Sequence, residues 1–217
     1  MNHPPSGANS IYRLSLGDFL ERLGSGDPTP GGGTAAAVVG ALGAALIEMT
    51  ANLTIGKPRL ADVQEQARSI EARAADLRRR LEQLGDADAE AFDKVTAAYK
   101  LPRADDGQKA TRAEAIQLAL HTAADVPMET ARVAADVVEL AEQAAPLLNP
   151  AVISDVLVGA LLAQAALNGA ALNVEINLTS MTDRVSVEQY SNQLTRARQG
   201  LNERVERILA TGRGRFK

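Results

Sequence analysis

Two stretches of this 217-residue chain carry almost no charge and have to be hidden from water if the chain is to stay dissolved. Residues 35–47 are apolar without a break until Glu48, and residues 156–172 are interrupted only by Gln164 and Asn168. The first run, thirteen residues long, is shorter than the ~20 that a bilayer-spanning helix requires. Helices that are apolar nearly all round belong in the middle of a larger bundle. Small residues four apart in both runs (Gly40 and Ala44; Gly159 and Ala163) let two backbones approach closely. The pair is therefore expected as buried central helices and not as membrane spans.

Composition supports a helical reading. Hydrophobic residues make up 46% of the chain, of which 40 residues are alanine and only six are aromatic. Such a chain is too apolar for disorder and too poor in aromatic and β-branched runs for a mainly sheet protein. The expected fold is an all-α, single-domain bundle of about eight helices. It spans residues 14–211, between a flexible N-terminal tail (1–13) and a basic C-terminal tail (212–217). Ser15 with Asp18 caps a first short helix, Thr111 with Glu114 and Ser186 with Gln189 open later ones, and Ser154-Asp155 opens the long apolar one. Gly85-Asp86 is expected to interrupt a helix over 60–84 before another over 88–99. Pro127 is expected to kink or restart its helix, because proline lacks the donor and clashes with the preceding turn.

The charge balance sets aside several functions. A net charge of −4 argues against a nucleic-acid binder, which would show a basic face or stripe. The local exceptions, Arg78, Arg79 and Arg80 and the tail Arg213, Arg215 and Lys217, read as solvated surface. The chain has no cysteine, so disulfides, thiolate nucleophiles and thiolate metal sites are excluded. The two histidines are His3, in the tail, and His121, with no evident partner for a triad or a metal centre. No metal or cofactor is expected. The start of the chain shows no positive-then-apolar leader, and a cytoplasmic location is expected.

Four groups of residues carry chemistry. The first is Pro28-Thr29-Pro30-Gly31-Gly32-Gly33-Thr34, whose glycines allow close backbone approach and whose amides, at a helix start, attract an anion. It lacks the lysine of a P-loop and follows no strand, and a plain turn between helices explains it equally well. The second is Thr54, Lys57 and Arg59, suited to a carboxylate or simply to a helix C-terminus. The third is Asp86, Asp88, Glu90 and Asp93, of which 86, 90 and 93 share one helical face. Crowded carboxylates support acid–base work, although acids also gather at helix N-termini. The fourth is Asn149, Ser154 and Asp155 with Asn173 and Asn177, the last two four apart and so on one face. Buried amides need partners, which suggests a polar pocket, while Ser154 and Asp155 alone also read as caps.

Together and in this order, these blocks resemble the cyclodeaminase/cyclohydrolase family of folate enzymes. The resemblance runs through the 28–34 loop, Leu53-Thr54-Ile55-Gly56-Lys57, Asp86-Ala87-Asp88-Ala89-Glu90-Ala91-Phe92 and Leu101-Pro102. It continues through Val126-Pro127, Asn149, Ser154-Asp155 and Asn173-Val174-Glu175-Ile176-Asn177-Leu178, covering about residues 16–183. Leu60 stands where the family usually has an aromatic residue, and Pro58 replaces a more ordinary polar one. The resemblance implies an all-helical enzyme that assembles at least as a dimer and acts on a reduced folate without a cofactor. One reaction hydrolyses 5,10-methenyltetrahydrofolate to 10-formyltetrahydrofolate. The other closes 5-formiminotetrahydrofolate with release of ammonia. The first is favoured here because no transferase half is attached, and a non-catalytic helical dimerisation or binding module is the competing class.

The catalytic candidates are Asp155, placed first because a helix start keeps an acid ionised and oriented, then Asp86 and Asp88. Substrate contacts are expected from Pro30, Gly31, Gly32, Gly33, Thr34, Thr54, Lys57, Asn149, Ser154, Asn173 and Asn177. Helices this apolar leave surface to cover, so a homodimer is expected.

Overall fold

The computed structural model describes residues 10–216; residues 1–9, with His3 and most of the expected N-terminal tail, and Lys217 lie outside it. A single 3₁₀ turn, Ile11–Arg13, precedes helices α1 (Leu16–Leu23) and α2 (Gly32–Asn52). A 3₁₀ segment, Pro58–Val63, leads into α3 (Gln64–Tyr99), which is followed by α4 (Asp106–Ala144). A second such segment, Pro150–Val152, opens α5 (Ile153–Leu178), and α6 (Arg184–Arg198) and α7 (Leu201–Arg213) close the chain. Among the described residues there is no strand.

Helices α2 and α5 run antiparallel and form a four-helix bundle with α3 and α4, α2 lying against α3 and α5 against α4, so the pair is packed on one side and not buried all round. Both are long and apolar enough to cross a membrane by length and composition, α2 being longer than its uncharged run suggested. Here they pack against each other instead. Their crossing is at Gly43 and Gly159: a Cβ on Gly43 would lie 2.7 Å from the Gly159 carbonyl oxygen, and one on Gly159 2.8 Å from that of Gly43. Backbone meets backbone there, which only glycine allows. Ile47, Leu81, Leu140, Leu148, Ile153 and Leu167 are fully buried around the pair.

The helices are fewer and longer than the eight expected. Gly85 does not break α3; it is buried, and a Cβ there would lie 2.7 Å from the Tyr12 hydroxyl. The glycine makes room for the 3₁₀ turn of residues 11–13, so part of the segment expected as a loose tail is docked. Pro127 lies buried inside an unbroken α4, whose cap is Asp105 and not Thr111. Ser154 is not a cap either, since Asn149 caps the 3₁₀ turn that runs into α5. The last expected helix is two, α6 capped by Asp183, then α7 after Gly200 in the left-handed region at φ 67°. Arg213 ends α7, and Arg215 donates to the Ala145 carbonyl at 2.6 Å, so the C-terminal tail is partly tied down.

Candidate active site

The N-terminal end of α2 and the C-terminal end of α5 meet, with one face of α3 and one turn of α4, around a cleft of about 290 Å³. Its floor is the glycine loop, Pro28, Thr29 and Gly31–Gly33. Asp88, Ala91, Phe92 and Val95, at helical spacing on α3, form one wall. Asn173, Ile176 and Asn177 of α5 form the other, with Ala123 of α4 behind. Asp88 is the one ionisable side chain among these lining residues.

Asp88 is seated on the first turn of α2. The buried Thr34 hydroxyl donates to Asp88 Oδ2 at 2.8 Å, and a Cβ on Gly33 would lie 2.7 Å from Asp88 Cγ. The anion expected at this helix start is therefore the protein's own carboxylate, in a position that the helix dipole favours. Burial raises the Asp88 pKa above the ordinary carboxylate range, and hydrogen bonds from the Thr34 side chain and backbone oppose that rise. A carboxyl held between these influences is suited to taking and returning a proton.

The two asparagines are held by backbone carbonyls. Asn173 Nδ2 donates to Gly169 O at 2.9 Å, and Asn177 Nδ2 donates to Asn173 O and to Ala123 O, both at 2.8 Å. Gly32 is exposed, and a Cβ there would reach only the Asn173 amide, at 3.5 Å.

The remaining sequence candidates lie elsewhere. Asp86 is two residues from Asp88 and so on another side of α3; its Oδ1 accepts from the Ile11 backbone N–H at 3.0 Å. At the far end of α2, about 30 Å away at 1.5 Å per residue, Thr54 Oγ1 accepts from Asn149 N at 2.9 Å and donates to Thr50 O at 2.8 Å. Asn149 Nδ2 donates to Leu53 O at 3.1 Å, and its Oδ1 accepts from Arg59 at 3.0 Å. Thr54 and Asn149, fully and nearly buried, staple α2 to the start of α5. Lys57 is exposed, Pro30 is buried, and Asp155 sits half-buried in the first turn of α5. Arg59 and Ser154 border a separate, more open hollow of about 650 Å³. The cleft thus unites Gly31, Gly32, Gly33, Asp88, Asn173 and Asn177, with Thr34 behind Asp88. It does not include Asp86, Thr54, Lys57, Asn149, Ser154 or Asp155. Phe92, 41% exposed one turn beyond Asp88, was missed by the sequence reading. Its i, i+4 spacing from Asp88 was the available signal.

Comparison with known proteins gives the chain its class. Residues 15–196 match the family model described as Formiminotransferase-cyclodeaminase, and the chain belongs to that family. It is 47% identical over 176 residues to a protein of Methylorubrum extorquens named methenyltetrahydrofolate cyclohydrolase, covering 81% of this chain and 85% of that one. It is 33% identical over 193 residues to formimidoyltransferase-cyclodeaminase of Mus musculus, covering 88% of this chain but 36% of that longer protein. The crystal structure of a formiminotetrahydrofolate cyclodeaminase from Thermotoga maritima superposes with a TM-score of 0.83 at 33% identity, over 94% of this chain and 98% of that one.

Proposed function

We propose that this chain hydrolyses 5,10-methenyltetrahydrofolate to 10-formyltetrahydrofolate, with Asp88 as the general base. The observation that carries the assignment is Asp88 itself, the one ionisable group among the described residues that line the cleft, on a protein 47% identical to a named cyclohydrolase. The methenyl carbon lies between two nitrogens and shares their positive charge. A carboxylate beside it stabilises the bound cation and accepts a proton as water adds to that carbon. The tetrahedral adduct then opens. Asp88 returns its proton to the departing ring nitrogen, the adduct hydroxyl loses its own to solvent, and the formyl group stays on the other nitrogen. One proton is released overall. No step needs a metal or a redox cofactor. Phe92 offers a flat face for the ring system, and Asn173 and Asn177 offer amides to its edge.

The second reading is cyclodeaminase activity, favoured by the likeness to the Thermotoga maritima enzyme. Both reactions pass through a tetrahedral carbon between two nitrogens, so one cleft serves either. The test is to offer purified protein each folate in turn and follow methenyl absorbance. Loss of the methenyl signal, faster than in buffer alone, supports the hydrolase; gain from the formimino compound supports the deaminase. No change with either, and no heat on titration with tetrahydrofolate, would leave a non-catalytic helical module.

We further propose a homodimer in the cytoplasm. Leu42 and Met49 on α2, with Val158, Leu161, Leu172 and Ile176 on α5, are 40–64% exposed and form an apolar face along the central pair. Such a face is usually covered, and a second copy is the cover proposed here. A cysteine-free chain suits a reducing compartment.

A further inference from the structure

Pro127 is buried in the middle of α4, a position that strongly disfavours proline in a helix. Its effect falls on the carbonyl four residues back. A residue with an N–H at 127 would bond to Ala123 O in the helix ladder; proline cannot, and its ring pushes that carbonyl out of line. Ala123 lines the cleft, and its oxygen accepts from Asn177 Nδ2 at 2.8 Å. The other Asn177 N–H goes to Asn173 O at 2.8 Å. Both donors of the amide are thus spent on backbone, and Oδ1 is the atom left for a ligand.

We infer that Pro127 is a positioning residue of the cleft: by freeing the Ala123 carbonyl it fixes the Asn177 amide so that its oxygen is presented, and the ligand edge entering there is a hydrogen-bond donor. The cleft therefore prefers a flat heterocycle bearing ring N–H or amino groups over one with only carbonyls at that edge. The inference rests on the folate reading for its ligand, and the 2-amino-pyrimidinone part of a reduced folate carries such donors.

The experiment has two arms. In the first, the Asn177 side-chain amide is followed by NMR without ligand in wild type, Pro127→Ala and Pro127→Val, the last keeping most of the volume. The amide protons should exchange slowly in wild type and faster, with shifted resonances, in whichever variant folds. Unchanged resonances and exchange would overturn the inference whatever the protein's substrate. In the second, the KM for 5,10-methenyltetrahydrofolate should rise on the order of 10-fold in the variant, the size of one lost hydrogen bond, with kcat within about 2-fold. The melting temperature should hold or rise, because an ordinary residue restores the helix bond. Asn177→Leu should raise KM at least as much, and the double variant no further, since both act through one contact. A KM unchanged by the Pro127 variants, or effects that simply add, would overturn it. A wild type inert toward the folate fails the functional reading instead, and the NMR arm still decides the positioning role.

Discussion

Gly33 and Asp88 fit together with no space between them: a Cβ on the glycine would lie 2.7 Å from the aspartate Cγ and 2.8 Å from its Oδ2. No real Cβ sits that close, so one of the two must move if position 33 acquires a side chain. Gly33→Ala should therefore displace the carboxylate and cut turnover on the order of 10²-fold, while far-UV circular dichroism stays near wild type. Gly32→Ala, where the new atom meets only the Asn173 amide at 3.5 Å, should keep turnover within a few fold of wild type. Equal losses in the two variants would refute this seating.

Asp88→Asn separates the carboxylate's role from its packing. An asparagine oxygen still accepts from Thr34, so turnover should fall by 10²-fold or more without a matching loss of stability. Burial raises the Asp88 pKa in the folded chain. The folded state therefore holds its proton more tightly, and the aspartate costs stability as pH rises from the unfolded value through the folded one. Above that window the Asn variant should melt no lower than wild type. Asp155→Asn, in the first turn of α5 at the far end of the pair, should retain near-normal turnover; a large loss there would move the general base back to Asp155.

Thr34→Val removes a hydrogen bond that favours the ionised form of Asp88. The carboxyl pKa should rise further, so the acidic limb of the kcat profile should move to higher pH. Thr34→Ser keeps the hydroxyl and should leave the limb in place. A Val profile superimposable on wild type would show that Thr34 only packs.

Phe92 presents its ring to the cleft at 41% exposure. Phe92→Ala should raise the folate KM by 10-fold or so, in line with about 1–1.5 kcal/mol for an aromatic stacking pair. Phe92→Tyr should stay close to wild type. Steady-state kinetics on both variants gives the answer.

Light scattering at micromolar concentration should report twice the chain mass of 22.8 kDa. Leu161→Glu puts a charge at the middle of the exposed apolar face and should shift the species toward monomer. A wild type of 22.8 kDa would reject the homodimer.

The two apolar runs announced the pair that packs at Gly43 and Gly159, because small uncharged residues let two helices meet backbone to backbone; that one face of each stays exposed was not legible. Helix ends were harder to read. Gly85 looked like a break because glycine usually weakens a helix, and nothing local disclosed that the Tyr12 hydroxyl needs the space. Pro127 looked like a kink for a similar reason. In the candidate site, the glycine loop, Asp88, Asn173 and Asn177 were legible as residue types but not as one group, since they come from three helices. Asp155 was ranked first because a helix start orients an acid. That argument holds equally for Asp88 on the first turn of α2, a contact 54 residues apart in sequence that no local pattern encodes.

The rod-like separation of the cleft from the Thr54–Asn149 staple has a practical consequence. At a spacing of about 30 Å, with no shared partners, substitutions at one end should combine with those at the other by simple addition of free energies, within about 0.5 kcal/mol. The staple end is thus the place to engineer heat tolerance. Tightening it leaves the chemistry untouched, and the margin gained can absorb costly changes of specificity at the opposite pole.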